Sequence, residues 1–324
     1  MVLLIFACVL AVSVGPVRIG LGDIGAVAMS HLTGRSAAVS PETDMIVWNI
    51  RLPRAILAAI VGLLLASAGA ALQALLLNPL ADPYTVGVSS GAALGASVAI
   101  LLGLQGFLLG FGVPVVAFAA ALVTMFIVYA LARSRGRVSP HSFLLSGIVV
   151  GSFFWAMITF VMTIAHQDLA TIIMWLLGSF AAPAPWAYVL MSLPFAVIGL
   201  AVLYAFARDL NVYSLGEETA AHLGIDTEAL KTLLIAVASL ITAAAVSVSG
   251  IIGFVGLMVP HMARRIFGPD HRVLIPMAAL MGAILLVLAD TLARSLVSPG
   301  ELPVGVITAM LGAPFFCYLL RRGV

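Results

Sequence analysis

Apolar residues run along this chain in long blocks, and the polar residues gather in the short gaps between them. A helix that crosses a hydrocarbon core of about 30 Å needs about 20 apolar residues at 1.5 Å each. Blocks of that kind lie at 55–77, 84–102, 112–132, 143–165, 186–207, 230–249, 273–293 and 303–320. A further run at 2–15 is shorter and has neither a basic stretch before it nor an A-x-A cleavage site after it. This favours a membrane helix whose start lies before the first residue over a signal peptide. Residues 252–267, "IGFVGLMVPHMARRIF", predict a short crossing interrupted by Pro260, and the run 169–180 predicts a half-helix near one interface. The pattern therefore predicts an all-α polytopic membrane protein of ten crossings plus a half-helix, with residues 1–324 forming one transmembrane domain.

With ten crossings both termini share a side, and the basic residues divide unevenly between the two faces. Arg133, Arg135, Arg137, Arg208, Lys231, Arg264, Arg265, Arg272, Arg321 and Arg322 make ten on the side of the termini. Arg18, Arg35, Arg51, Arg54 and Arg294 make five opposite. The excess of Lys and Arg marks the side of the termini as cytoplasmic. That side also carries the most polar stretch of the chain, "SLGEETAAHLGID" (214–226). Its acidic balance suits protein better than anionic lipid. Ser214 as N-cap and Glu217 three residues on form a capping box, and Gly224 stands where a helix would end. These signals predict a helix of two to three turns over 214–224. Leu215, Ala220, Ala221 and Leu223 supply small or apolar contacts, with Glu217 and Glu218 as the polar ones. Two readings stand open: an ordinary capped loop helix, or a lever that fits a groove in a cytoplasmic partner.

Composition removes several classes of function. The chain is 63% hydrophobic and 9% charged, with a mean hydropathy of +1.21, beyond what a water-soluble surface permits. Its 15 bases and 13 acids nearly cancel, so nothing points to nucleic acid. Cys8 and Cys317 sit in apolar runs near opposite ends and read as small buried hydrophobes, and no Cys/His cluster suggests a metal. There is no GxxxxGK[ST] loop, so nothing in the chain binds ATP by a known phosphate loop. A proton- or sodium-coupled carrier would place ionisable groups in mid-membrane. Here the one acid deep in a block is Asp290, and Arg294 four residues on offers it a local partner. Small residues in "GLLLASAGAAL" (62–72) and "GVSSGAALGAS" (87–97) recur at spacings that let helices approach closely. "LNPLADPY" (77–84) forces a sharp turn. His261, Met157, Met162 and Met174 read as packing groups rather than metal ligands.

Six blocks taken together resemble one family. "RLPR" (51–54), "ALQALLLNPLADPYTVGVSSGAALGA" (71–96), "WLLGSF" (175–180), "SLGEETAAHLGID" (214–226), "GFVGLMVPHMARR" (253–265) and "ELPVGVITAMLGAPFFCYLL" (301–320) are similar, in order, to the FecCD-type permeases. These are membrane subunits of type II ABC importers for iron-siderophores, haem and cobalamin. The resemblance implies a homodimer, or pairing with a similar permease, together with two ATP-binding subunits that carry ATP and Mg. It also implies a periplasmic or lipid-anchored substrate-binding protein on the outer face, in the cell membrane of a prokaryote. It implies inverted halves, roughly 51–165 and 230–322. Ser214, Leu215, Gly216, Glu217, Glu218, Ala220, Ala221, Leu223 and Gly224 become a coupling helix that receives the ATPase. Arg51, Arg54 and Arg294 become contacts to the binding protein, and Asn78 and Leu80, with Pro140 and His141, the cytoplasmic gate. Pro140 and His141 depart from the small hydroxyl residues of the family's cobalamin member. The rival reading is a secondary transporter or channel that works alone on a small organic solute.

Overall fold

The computed structural model describes residues 1–15, 17–34, 39–134, 137–182, 185–297 and 300–321. Arg35, Arg135 and Arg322, three of the counted bases, lie outside them. Helix α1 (Val2–Ser13) is followed by α2 (Leu21–Thr33), which the apolar blocks do not show because only Val27 of it is buried. His31 of α2 stacks on Trp48 and meets the Asp44 carboxylate at 3.0 Å, which holds α2 against the next element.

That element is the longest in the fold. It begins at Ser40, whose hydroxyl accepts from Thr43 N (3.2 Å), with Pro41 at the first helical position. It continues through α3 (Pro41–Asp44), a π-helical turn (Met45–Arg51) and α4 (Leu52–Leu75). The block at 55–77 is only its apolar portion. After the 76–87 turn, α5 (Val88–Leu101) starts at Gly87, whose φ of 86° only glycine adopts freely. Gly103 ends it, and a 3₁₀ segment at Leu104–Gly110 leaves at 101°. Then come α6 (Gly112–Ala132), the hairpin of β1 (Arg133–Ser134) and β2 (Arg137–Val138), and α7 (Pro140–Ile164). The predicted half-helix is α8 (Leu169–Leu176). The chain continues through α9 (Pro185–Ala205), α10 (Ala207–Tyr213), α11 (Glu217–His222) and α12 (Thr227–Ser249). It closes with α13 (Val255–Phe267, containing Pro260), α14 (His271–Ala293) and α15 (Val304–Arg321).

Each of the ten predicted crossings is occupied by a helix: α1, α4, α5, α6, α7, α9, α12, α13, α14 and α15. Six described helices pass a length and hydropathy criterion for spanning alone, and the bent α5 pair makes a seventh. Burial grades them. The apolar window of the 41–75 helix is 83% buried and that of α12 72%, but α6 and α7 reach only 28%. So α4 and α12 form the middle of the bundle, and α6, α7 and α9 turn Phe126, Phe153, Phe160 and Val197 outward. Such a surface is stable only where the solvent is itself apolar. Close approach in the middle depends on glycine: a Cβ on Gly62 would strike the Gly282 carbonyl of α14, and one on Gly69 the Gly256 carbonyl of α13. Cys317 is exposed on α15 and Cys8 half-buried, so neither is the buried small residue expected of it.

Candidate functional site

The 214–226 loop folds differently from its capping signals. Gly216, at φ 118°, stands at the N-cap, so α11 begins after it and is six residues long rather than two to three turns. Ser214 caps nothing; its hydroxyl donates back to Leu210 O (2.8 Å) in the turn that ends α10. The Glu217 carboxylate does not reach back to a cap either. It lies 2.8 Å from Lys231 Nζ and accepts from the Tyr213 hydroxyl at 3.4 Å. Burial, with Glu217 beside it, pushes the Tyr213 phenol above its ordinary range. The C-terminal signal is as read: Gly224 has φ 88°, with Gly224 N bonded to Ala221 O and Ile225 N to Ala220 O. Asp226 then caps α12 by accepting from Ala229 N (3.0 Å).

These turns decide which side chains face out. Leu215 and Leu223 are 69% and 64% exposed, and Glu218 and Ala221 stand on the same open surface. Ala220 does not join them. It is wholly buried and serves as the foot of α11. The outward set is therefore Leu215, Glu218, Ala221 and Leu223.

The anchor beneath this surface is Lys231, which the sequence presents only as a loop base. It is 3% exposed on the first turns of α12. Its Nζ lies 2.8 Å from Glu217 Oε1, 2.6 Å from Glu228 Oε1 and 2.9 Å from Val138 O. An ammonium carries three donors, and Glu217 Oε1 and Val138 O take two of them. The Glu228 contact is an ion pair outside hydrogen-bond angles, while Glu228 Oε2 accepts from Val138 N at 3.1 Å. Glu228, three residues before Lys231 on one helix face, is the one signal in the sequence that could have found it.

A second junction ties α10 to α14. Asn211 Oδ1 accepts from His271 N and pairs with His271 Nδ1, both at 2.8 Å, and Asn211 Nδ2 donates to Asp270 Oδ1 at 2.7 Å. Hydrogen bonds from Asn211 and from Arg272 N hold the Asp270 carboxyl below its usual range. A cavity of about 570 Å³ opens beside this junction, lined in part by Gln73, Asn78, Ser214, Leu215, Arg264 and His271. The structure thus brings Asn78 of the predicted gate together with the coupling loop. Leu80, Pro140 and His141 do not line that cavity. Leu80 and His141 are exposed, and Pro140 opens α7. Asn78 Oδ1 is already used, accepting from Leu80 N (2.9 Å). In the same turn Asp82 is buried, its Oδ1 accepting from Tyr84 N, and burial pushes its carboxyl up to about 6.

At the opposite end the three arginines are not at a rim. Arg51, Arg54 and Arg294 are all buried. Arg51 donates to Val12 O (2.7 Å), Ser13 O and Val17 O, and Arg294 donates to Ala11 O. Both thus satisfy carbonyls that α1 leaves free at its C-terminal end, where the helix dipole favours cations. Arg54 binds Asp290 through Nε and Nη2 (2.9–3.1 Å) and Glu301 through Nη1 (2.9 Å). Arg294 Nε is 3.9 Å from Asp290, so the local pair is the weaker one and the main partner of Asp290 comes from α4. Exposed docking by these guanidinium groups is corrected accordingly: they hold α1, α4 and α14 together. His261 accepts from Arg265 Nε (3.2 Å) and packs edge-on against Phe315, a packing role. No group of three metal-ligating side chains occurs among the described residues.

A bundle of lipid-facing helices with a short exposed loop helix defines a polytopic α-helical membrane protein. Comparison with known proteins makes this specific. The FecCD transport family model matches residues 3–322, and the chain belongs to that family. It is 50% identical over 282 residues to the cobalamin import system permease protein BtuC of Halobacterium salinarum, covering 87% of this chain and 75% of that one. It is 44% identical over 317 residues to the ABC transporter permease protein YvrB of Bacillus subtilis, covering 97% and 90%. It is 40% identical over 311 residues to the hemin transport system permease protein HmuU of Yersinia pestis, covering 94% and 91%. A solved structure of an inward-facing metal-chelate type ABC transporter superposes with a TM-score of 0.85 at 30% identity, covering 99% of this chain and 97% of that one. The chain is an ABC importer permease subunit and not an enzyme; ATP hydrolysis belongs to a separate subunit. A stand-alone secondary transporter is set aside by this membership.

Proposed function

We propose that the chain imports a bulky metal chelate of the corrinoid, haem or iron-siderophore kind, as half of a permease dimer driven by two ATP-binding subunits. The names of its relatives, which cover cobalamin, hemin and Fe(3+)-citrate import, support that cargo class. Delivery by a substrate-binding protein on the outer face belongs to the same reading. The polar-loop face, with both termini, is the cytoplasmic one. Arg51, Arg54 and Arg294 are buried and bonded, so of the five outer bases only Arg18 and Arg35 remain to oppose the positive-inside rule. Lys231 drops out of the inner count for the same reason, leaving nine.

One observation carries the ATPase reading. The loop helix α11 and its flanking turns present Leu215, Glu218, Ala221 and Leu223 outward, and α11 is fixed from below by Ala220 and Glu217. A surface of mixed apolar and acidic side chains on a fixed base suits a groove in a partner protein. Helix pairing supports related halves at 51–165 and 230–322: α4 packs on α14 and α13, and α12 packs on α6 and α5. Photo-crosslinking from position 218 tests the assignment. It captures a nucleotide-binding subunit if the reading is right, and captures none if the loop helix faces only water.

A further inference from the structure

Lys231 touches three separate pieces of the chain at once. Glu217 belongs to α11, Glu228 to the same turn of α12, and Val138 to the hairpin that leads into α7. Both backbone groups of Val138 are engaged, its N–H by Glu228 and its carbonyl by Lys231. Val138 is buried and stands two residues before Pro140, the first residue of α7. α11 itself is short and exposed, and its backbone contacts run to α10 and α12. A load applied to α11 therefore has a direct polar route to α7, through one ammonium group.

We infer that Lys231 is a positioning residue that fixes α11 to the 133–138 hairpin, so that a displacement of α11 by its partner moves the start of α7. The inference rests on the reading of α11 as the ATPase contact. Its chemistry favours a rigid link. The ammonium is removed from water and depends on its acceptors, since a buried charge that loses a partner is costly. Its two hydrogen bonds, to Glu217 and Val138 O, and its ion pair to Glu228 are all short, and the two carboxylate contacts are charge-assisted. The link cannot slip without losing its bond to α11 or its bond to the hairpin. A surface lysine would offer no such constraint, because exposed pairs contribute little and exchange with water. Asn211 holds α10 to α14 in the same region but makes none of these three contacts, so the two junctions can be separated by mutation.

The test uses the full permease–ATPase complex in proteoliposomes, with Lys231→Met, Lys231→Arg and Glu228→Gln beside the unmodified chain. ATP hydrolysed and solute imported are measured together, and spin labels at Thr219→Cys and His141→Cys, with Cys8 and Cys317 replaced by serine, report distance with and without trapped nucleotide. Lys231→Met is expected to keep assembly and basal hydrolysis while solute imported per ATP falls about two- to thirtyfold, the range of coupling changes seen along such networks. The nucleotide-dependent change at 141 shrinks in parallel, and Lys231→Arg restores part of both. A role limited to folding would lower yield and leave the ratio unchanged in the complexes that form. Should Lys231→Met fail to assemble, Glu228→Gln decides, since its amide oxygen still accepts from Val138 N while one of the two carboxylates facing Lys231 is removed. An unchanged ratio and an unchanged distance response in an assembled variant overturn the inference. If the unmodified chain captures no ATPase at all, the coupling reading falls first, and the inference with it.

Discussion

Asp290 shows at the residue scale what adjacency in sequence conceals. Arg294 lies four positions away, yet the strong partner is Arg54, 236 positions distant, in a fork that presents three nitrogen–oxygen contacts. Replacing Asp290 by Ala leaves two buried guanidinium groups without their carboxylate. Breaking a buried pair in this way costs about 3–5 kcal/mol, so the melting temperature of the detergent-solubilised protein is expected to fall sharply. For the same reason Arg54→Glu is expected to abolish folding, and no charge reversal on a binding protein will restore uptake. A rescued uptake would return Arg54 to the surface. The sequence marked these arginines as unusual because they break the positive-inside pattern. What it could not show is that α1 ends beside them with carbonyls in need of donors. Asp82 gives a separate, pH-based test. Burial raises its carboxyl to about 6, so the folded state holds the proton more tightly than the unfolded chain does. The stability it contributes is complete below about pH 4 and is lost as the pH rises through about 6. Melting temperatures measured from pH 4 to 7 should fall across that window, and Asp82→Asn should flatten the fall.

Among the elements, the apolar runs located the ten helices named as crossings but missed α2 and the start of the longest helix. The 41–75 helix begins fourteen residues before its block, where Ser40 and Pro41 supply start chemistry that hydropathy does not register. The polar loop helix was misjudged in the other direction. A capping box requires Glu217 to turn back on its own backbone, but a buried lysine fourteen residues on competes for the same carboxylate and wins it. Gly216 and Gly224, both at positive φ, then set the limits of α11. At Gly224 a side chain meets no neighbour within 4 Å, so the strain of Gly224→Val is purely in the backbone. A non-glycine residue there costs about 1–2 kcal/mol. Such a variant should insert and melt nearly as the unmodified chain does, yet stimulate its ATPase poorly. Gly62→Leu is expected to behave in the opposite way. Its side chain strikes the backbone of α14, so the α4–α14 crossing opens and the folded yield falls, whatever the partner. Thermal unfolding of both variants in one detergent separates the two cases.

For the molecule as a whole, the distribution of burial separates working parts from lipid-facing ones. Glycine contacts clamp α4 against α13 and α14 in the middle, while α6, α7 and α9 present apolar side chains to lipid or to a second copy. Membership of the FecCD family and the family's transport role were legible from six motifs in order, because those motifs sit at turns and helix junctions where backbone geometry restricts the residue. The Lys231 anchor was not, since two of its three partners, Glu217 and the Val138 carbonyl, are distant in sequence. The central claim is that this chain forms a passage whose energy enters from a separate ATPase through α11. Uptake of a metal chelate delivered by the substrate-binding protein into proteoliposomes, measured for the purified permease with and without its ATP-binding subunit and with ATP enclosed, tests it most directly. The account predicts uptake only with both the subunit and hydrolysable ATP present, and its loss when Glu218 and Leu223 are replaced by arginine. Uptake of equal rate by the permease alone would contradict it.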